Sequence, residues 1–219
     1  MVDILLINPN TSIRTTETML VAARAASLPG STIRGATAAR GAGMILDEAA
    51  LAVAAEEVFR VGRDESAGYD AVIVSAFGDP GVVRLRALLS IPVIGIGEAG
   101  LREAAAGSRR FGIATTTPGL VARMQASVHA LGLDAGFTGL RVCAGSPTAH
   151  AADPAGQYAA LARAVEDCMV HDGAERVVIG GGPLSASAAR LRHRFAAAIV
   201  EPVPAAVRAV VRGLAAFPR

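Results

Sequence analysis

Short apolar runs rich in β-branched residues alternate along the chain with alanine-rich stretches whose apolar positions recur every three or four residues. The first pattern predicts strands at 4–8, 32–36, 71–76, 92–96, 111–115, 139–143, 177–180 and 198–200. The second predicts helices at 11–27, 47–61, 82–89, 98–106, 120–131, 155–171, 184–195 and 204–214. Most strand runs are continuously apolar, which requires burial on both faces. Strict alternation of strand and helix therefore predicts an α/β fold with a mostly parallel sheet.

The pattern also repeats. The segment from Gly68 to Gly78 lies 105 positions before the one that starts at Gly173, and both read as turn, acidic residue, apolar strand and small-residue loop. The run ending in Pro9 has a counterpart ending in Pro118, and the run from Gly95 to Arg102 corresponds to that from Glu201 to Arg208. Three matches in one order predict a duplication. Two four-stranded halves facing one another would gather the carboxyl ends of their strands around a shared cleft, where open α/β sheets bind ligands. The loops to watch are 8–12, 75–81, 115–119 and 180–185.

Composition narrows the chemistry. Of 219 residues 52% are hydrophobic, yet the uncharged stretches run to 13 residues at most, short of the roughly 20 that span a bilayer. No membrane partner is expected. All 21 basic residues are arginine, which excludes a lysine Schiff base and a P-loop lysine. A net charge of +2 and few aromatic residues speak against nucleic acid. His129, His150, His171 and His193 are widely spaced, and Cys143 and Cys168 form no CxxC pair, so no metal site is expected. The absence of a basic leader before Ile4 predicts no signal peptide, and the two separate cysteines fit a reducing, cytoplasmic setting.

The loops are rich in neutral donors. Asn8, Asn10 and Thr11 follow the first strand and open a helix, whose free N–H groups attract an anion. Ser75, Ala76, Phe77 and Gly78 end the third strand, Thr115 and Thr116 end the fifth, and Gly181, Gly182 and Pro183 form a nearly bare backbone loop. Together they predict an oxyanion cradle. With no lysine and no GxGxxG, a small carboxylate or imide fits better than a nucleotide.

INPNTS at 7–12, AFGDPG at 76–81, PVIGIGEA at 92–99, DGAERVVIG at 172–180 and EPVPAAV at 201–207 resemble the aspartate/glutamate racemase superfamily, in its hydantoin racemase branch. The resemblance implies two pseudo-symmetric Rossmann-like α/β domains, each a four-stranded mostly parallel sheet flanked by helices, with the active site between them. The boundaries expected are 1–106 plus 201–219 for the first and 107–200 for the second. It also implies a homo-oligomer and a small carboxylate or cyclic ureide as substrate. No cofactor is implied: one cysteine removes the α-proton and another, facing it, supplies one.

Here the chain departs from the pattern, carrying Ala76 and Gly181 where those cysteines are expected. Cys143 and Cys168 do not replace them by position and read as small buried residues. A thiol with pKa near 8.5 is a base of useful strength, and neither alanine nor glycine takes a proton. Asp79 and His150 are the candidate replacements, with Glu98 and Ser75 behind them. His150 falls in a polar stretch expected to be a mobile flap, and Glu98 at the start of a helix. Two readings stay open: a cysteine-free isomerase or decarboxylase working through an enolate-like intermediate, and a binding or regulatory protein that keeps the pocket. A bare scaffold is disfavoured by the polar cleft loops.

Overall fold

The computed structural model describes residues 2–216. Four strands, β1 (Asp3–Asn8), β2 (Thr32–Thr37), β3 (Ala71–Val74) and β4 (Val93–Gly95), alternate with α1 (Ile13–Ala25), α2 (Glu48–Glu65), α3 (Val82–Leu88) and α4 (Ile96–Ala105). The second half repeats the scheme with β5 (Phe111–Thr115), β6 (Phe137–Val142), β7 (Arg176–Ile179) and β8 (Ile199–Val200). Its helices are α5 (Val121–Ala130), α6 (Pro147–Ala152), α7 (Pro154–Val170) and α8 (Ser185–Phe195), and α9 (Pro202–Ala216) follows. The strands form two parallel sheets of identical order, β2-β1-β3-β4 and β6-β5-β7-β8. The duplication read from the sequence is thus a duplication of topology.

Central strands are covered on both faces. Ile4 to Ile7, Ala71 to Val74 and Val177 to Ile179 are all buried, which is why these segments read as continuous apolar runs. Helix α9 lies on the first sheet, where Val203, Ala206, Val207 and Val210 pack with Ile4, Leu6 and Ile73. Arg208 fastens it by donating to both carboxylate oxygens of Glu103 at 2.9 and 2.7 Å. Helix α4 is shared between the halves: Ile96 and Ala99 join that cluster, while Leu101 and Ala104 pack with Phe111, Ile113 and Val178 of the second sheet. Each such aliphatic side chain contributes about 1.5–3 kcal/mol by leaving water, so the halves share core rather than merely touch. Residues 1 and 217–219 of the expected first domain lie outside the described residues.

Three expectations need correction. The first helix starts at Ile13 rather than at 11, because Ser12 is its cap and accepts from the Thr15 amide at 3.2 Å. Helix α4 starts at Ile96, so Glu98 sits inside its first turn. The flap expected around His150 is the short helix α6, which Pro147 opens and Ser146 caps by accepting from the Ala149 amide at 3.1 Å. Among the described residues no helix is long and apolar enough to cross a membrane.

Candidate active site

Each half delivers its loops to one cavity of about 340 Å³ from the carboxyl ends of its strands. The first half contributes Asn10 after β1 and Ser75, Ala76 and Phe77 after β3. The second contributes Thr116 and Thr117 after β5 and the 180–184 loop after β7. The loops approach closely. A Cβ on Gly182 would lie 2.8 Å from the Ser75 carbonyl oxygen and 2.6 Å from the Met19 sulfur, so only glycine lets these two loops meet without rearrangement. A similar contact holds Gly119, whose Cβ would meet the Leu46 carbonyl oxygen at 2.3 Å.

The strand ends hold these loops in shape. Asn8 is fully buried, and its amide nitrogen lies 3.0 Å from each of Asn10 Oδ1, the Ser12 carbonyl and Thr16 Oγ1. Its own oxygen accepts from the Asn10 amide at 3.2 Å. In the second half Thr115 Oγ1 donates to the Gly180 carbonyl at 2.8 Å and accepts from the Thr117 amide at 3.3 Å. Asn8 and Thr115 therefore build the cradle instead of lining it, and Thr11 and Gly78 also stand outside the cavity wall. Asn10, Ser75, Ala76, Phe77, Thr116, Gly181, Gly182 and Pro183 line it. The Gly181 amide is engaged with the Ile179 carbonyl at 3.0 Å. Ser75 is 2% exposed, and its hydroxyl has no hydrogen-bond partner among the described residues.

Asp79 is placed elsewhere. It adopts φ 51° between Gly78 and Gly81, a conformation short polar residues tolerate. Its two carboxylate oxygens accept from the Gly97 and Glu98 amides at 2.8 and 2.7 Å, capping α4 from another loop. A Cβ at Gly95 would lie 2.2 Å from Asp79 Cγ, which explains the glycine there. Burial pushes the Asp79 carboxyl up to about 7 against the pull of the two amides. Glu98 points to Arg86 and Arg102, at 2.9 Å each. Burial raises its pKa, but the hydrogen bonds from the two arginines outweigh that and hold it below the usual carboxylate range. Neither acid lines the cavity.

Cys143 and Cys168 are buried apart from the cavity. Burial pushes their thiols up to about 11 and about 12, and Asp172 adds to the rise at Cys168. His150 does line the cavity, carried by α6. Its Nε2 lies 2.9 Å from the Ala144 carbonyl oxygen. A carbonyl only accepts, so Nε2 donates to it, and Nδ1 is the ring nitrogen left without a protein partner among the described residues.

Several lining residues were not singled out in the sequence. Gly43, Met44 and Ile45 come from the loop after β2, at the same edge of the sheet. Arg14, Thr15 and Thr18 come from α1, and Gln157, Ser187 and Arg190 from α7 and α8. The position of the 43–45 loop after a strand was a readable signal. The helix residues carried none, since only packing brings those faces together. Among the described residues no cluster of histidine, cysteine, aspartate or glutamate is arranged to hold a metal ion.

The family model for Asp/Glu/Hydantoin racemase matches residues 4–210, nearly the whole fold just described. The chain belongs to this family. Hydantoin racemase from Paenarthrobacter aurescens is 31% identical over 218 residues, covering 94% of this chain and 88% of that protein. Allantoin racemase from Klebsiella pneumoniae superposes with a TM-score of 0.91 at 30% identity, over 99% of this chain and 89% of the other. Allantoin racemase from Pseudomonas fluorescens gives the same TM-score of 0.91 at 28% identity, over 98% and 91%. The racemase fold expected from the motifs is therefore the fold found, including its two parallel sheets.

The electrostatics of the wall are one-sided. Its ionisable side chains are Arg14, Arg190 and His150, and no aspartate, glutamate, cysteine or tyrosine is among the residues that line it. Such a wall favours an anion, and among the described residues that line it His150 alone carries an imidazole able to give or take a proton.

Proposed function

We propose that the chain is a racemase-superfamily isomerase acting on a small cyclic ureide or carboxylate, and that it moves the substrate's α-proton through His150 instead of a pair of thiols. The observation that carries this reading is the inventory of the cavity wall, in which His150 is, among the described residues, the one imidazole and no carboxylate or thiol is present. Asn10, Thr116 and the Gly182 backbone supply neutral donors to the enolate-like charge that forms as the proton leaves. His150 Nδ1 takes that proton and returns it, while Nε2 stays fixed on the Ala144 carbonyl. Ala76 and Gly181 hold no proton, so the face that His150 does not reach is served by solvent. One base then exchanges the α-proton faster than it inverts the centre.

The test is proton NMR in D₂O with enantiopure C5-substituted hydantoins, allantoin, aspartate, glutamate and aryl- or alkylmalonates, read together with optical rotation and carbon dioxide release. The expected result is α-proton exchange that outruns loss of optical activity, and a fall of about 10²–10⁴-fold in His150→Gln. Exchange that survives His150→Gln would overturn the role of His150. A second reading, a binding protein without turnover, is favoured by Ala76 and Gly181 lining the cavity together. It predicts saturable binding of one of these compounds and no exchange.

A further inference from the structure

Three features compete for attention outside the reaction itself. The groove formed by α1, α8 and α9 mixes alanines such as Ala22 and Ala189 with Arg192, His193 and Glu201, and nothing in it specifies an occupant. The thiols of Cys143 and Cys168 are buried in the second-half core. The third feature is the pair of arginines in the cavity wall, and it carries an inference.

Arginine is otherwise used economically around this cavity. On α8, Arg192 pairs with Glu201 at 3.2 Å and Arg194 pairs with Glu166. Arg190, on the same helix but lining the cavity, has no carboxylate partner among the described residues. Its guanidinium instead sits 4.2 Å from the centre of the Tyr158 ring, which fixes its orientation without neutralising it. Arg14, on the adjoining helix α1, also lines the cavity and likewise lacks a carboxylate partner among the described residues. Deeper in the same wall, the buried Ser75 hydroxyl has no partner among the described residues, whereas Ser187 donates to Gln157 Oε1 at 2.8 Å. The cavity thus combines an unmatched polar group inside with two unmatched cations in its wall, and no acid to balance either.

We infer that the natural ligand carries a second, anionic group beyond its reacting ring or acyl carbon, and that Arg14 and Arg190 receive it. The substrate class is then a cyclic ureide whose side chain ends in a carboxylate, as opposed to one with an apolar side chain. This rests on the proposed function for the ring, but its own evidence is the charge of the wall. Charge-assisted hydrogen bonds from guanidinium to carboxylate are stronger than neutral ones, and pairs from Arg14 and Arg190 should favour the acid by about tenfold. Both arginines are exposed enough for salt to weaken that preference.

The experiment is isothermal titration of the full chain with two hydantoins of matched shape, one with a carboxyethyl side chain and one with its carbamoylethyl amide. The acid should bind about tenfold tighter at low ionic strength, and the margin should shrink as salt rises. Arg14→Gln and Arg190→Gln should each reduce the margin about threefold, and the double variant should remove most of it. Equal affinity for acid and amide in the unmodified chain, or a margin that the double variant retains, would overturn the inference. His150→Gln separates the two proposals, because it should cut exchange about 10²–10⁴-fold and leave the acid-over-amide margin in place. If neither compound binds, the inference falls together with the ureide reading.

Discussion

Installing thiols at positions 76 and 181 tests whether the cavity is a racemase site from which the acid–base pair is missing. Ala76 lines the cavity and already carries a Cβ, so Ala76→Cys adds a single sulfur at the wall. Gly181 has φ 160° and ψ 131°, an extended conformation open to any residue. A Cβ there would meet Leu184 Cγ and Cδ1 at 3.3 Å each, and the end of a leucine side chain relieves such a contact with a small shift. Overpacking of this size costs about 1 kcal/mol, and loss of glycine's unfolded-state freedom offsets it by about 0.4–1 kcal/mol. The double variant should therefore fold with nearly unchanged stability. A positioned acid or base contributes about 10²–10⁴-fold. Each single variant should thus speed α-proton exchange, and only the double variant should speed inversion in proportion. The assay is optical rotation and α-proton loss in D₂O on one enantiopure hydantoin near pH 8.5, where an ordinary thiol is about half ionised. A folded double variant whose inversion does not exceed that of either single variant would refute the idea that positions 76 and 181 face a common substrate carbon.

Three further outcomes follow from the geometry. Asp79→Asn leaves one of the two α4 amides without its acceptor, so it should cost about 1–3 kcal/mol in chemical denaturation while leaving α-proton exchange unchanged. Because burial raises Asp79 to about 7, the folded chain keeps a proton that the unfolded chain releases near pH 4. The stability this group adds is therefore full below that pH and lost as pH rises towards 7; denaturation curves at pH 5 and 8 should show the slope, reduced in Asp79→Asn. Gly182→Ala places a methyl 2.8 Å from the Ser75 carbonyl and 2.6 Å from the Met19 sulfur, so it should separate the two loops, lower the melting temperature by several degrees and weaken ligand binding. Cys143 and Cys168, 6% and 0% exposed, should resist a thiol-reactive dye at pH 8 in the native chain and react once it is unfolded; prompt reaction at either would show the second-half core to be open.

The strands were readable because parallel strands buried on both faces leave an uninterrupted apolar trace, and β5 was bounded to the residue. Helix α6 escaped because Gly145, Ser146 and Pro147 look like a turn, although Ser146 and Pro147 also suit the cap and first position of a helix. The cavity loops were readable from their place at the carboxyl ends of strands. Which of their side chains face the ligand was not. Asn8 and Thr115 look like donors in the sequence, and only the fold shows their groups consumed by Thr16, Ser12, Gly180 and Thr117. Asp79 looked like a spare acid beside a proline turn until the amides of Gly97 and Glu98 came within its reach. Arg14, Gln157 and Arg190 gave no signal, since their joint position depends on how three helices pack.

The duplication explains both what the site retains and where its proposed chemistry must come from. In each half the first strand ends in a fully buried polar residue, Asn8 or Thr115, that pins the loop after it. In each half the loop after the third strand, at 75–77 or at 180–182, closes on the cavity. The cradle is therefore built twice and nearly symmetrically, which suits a planar intermediate approached from two faces. Ala76 and Gly181 occupy matching places in that scheme, and neither side chain can take a proton. Helix α6 breaks the symmetry. It lies between β6 and α7, whereas the corresponding stretch between β2 and α2 holds no helix and sends Gly43, Met44 and Ile45 to the wall. A base carried by α6 acts from one side only, and a donor set shared by both halves still spreads the negative charge. On the proposed mechanism, exchange faster than inversion is the kinetic consequence of a symmetric cradle served by an asymmetric base.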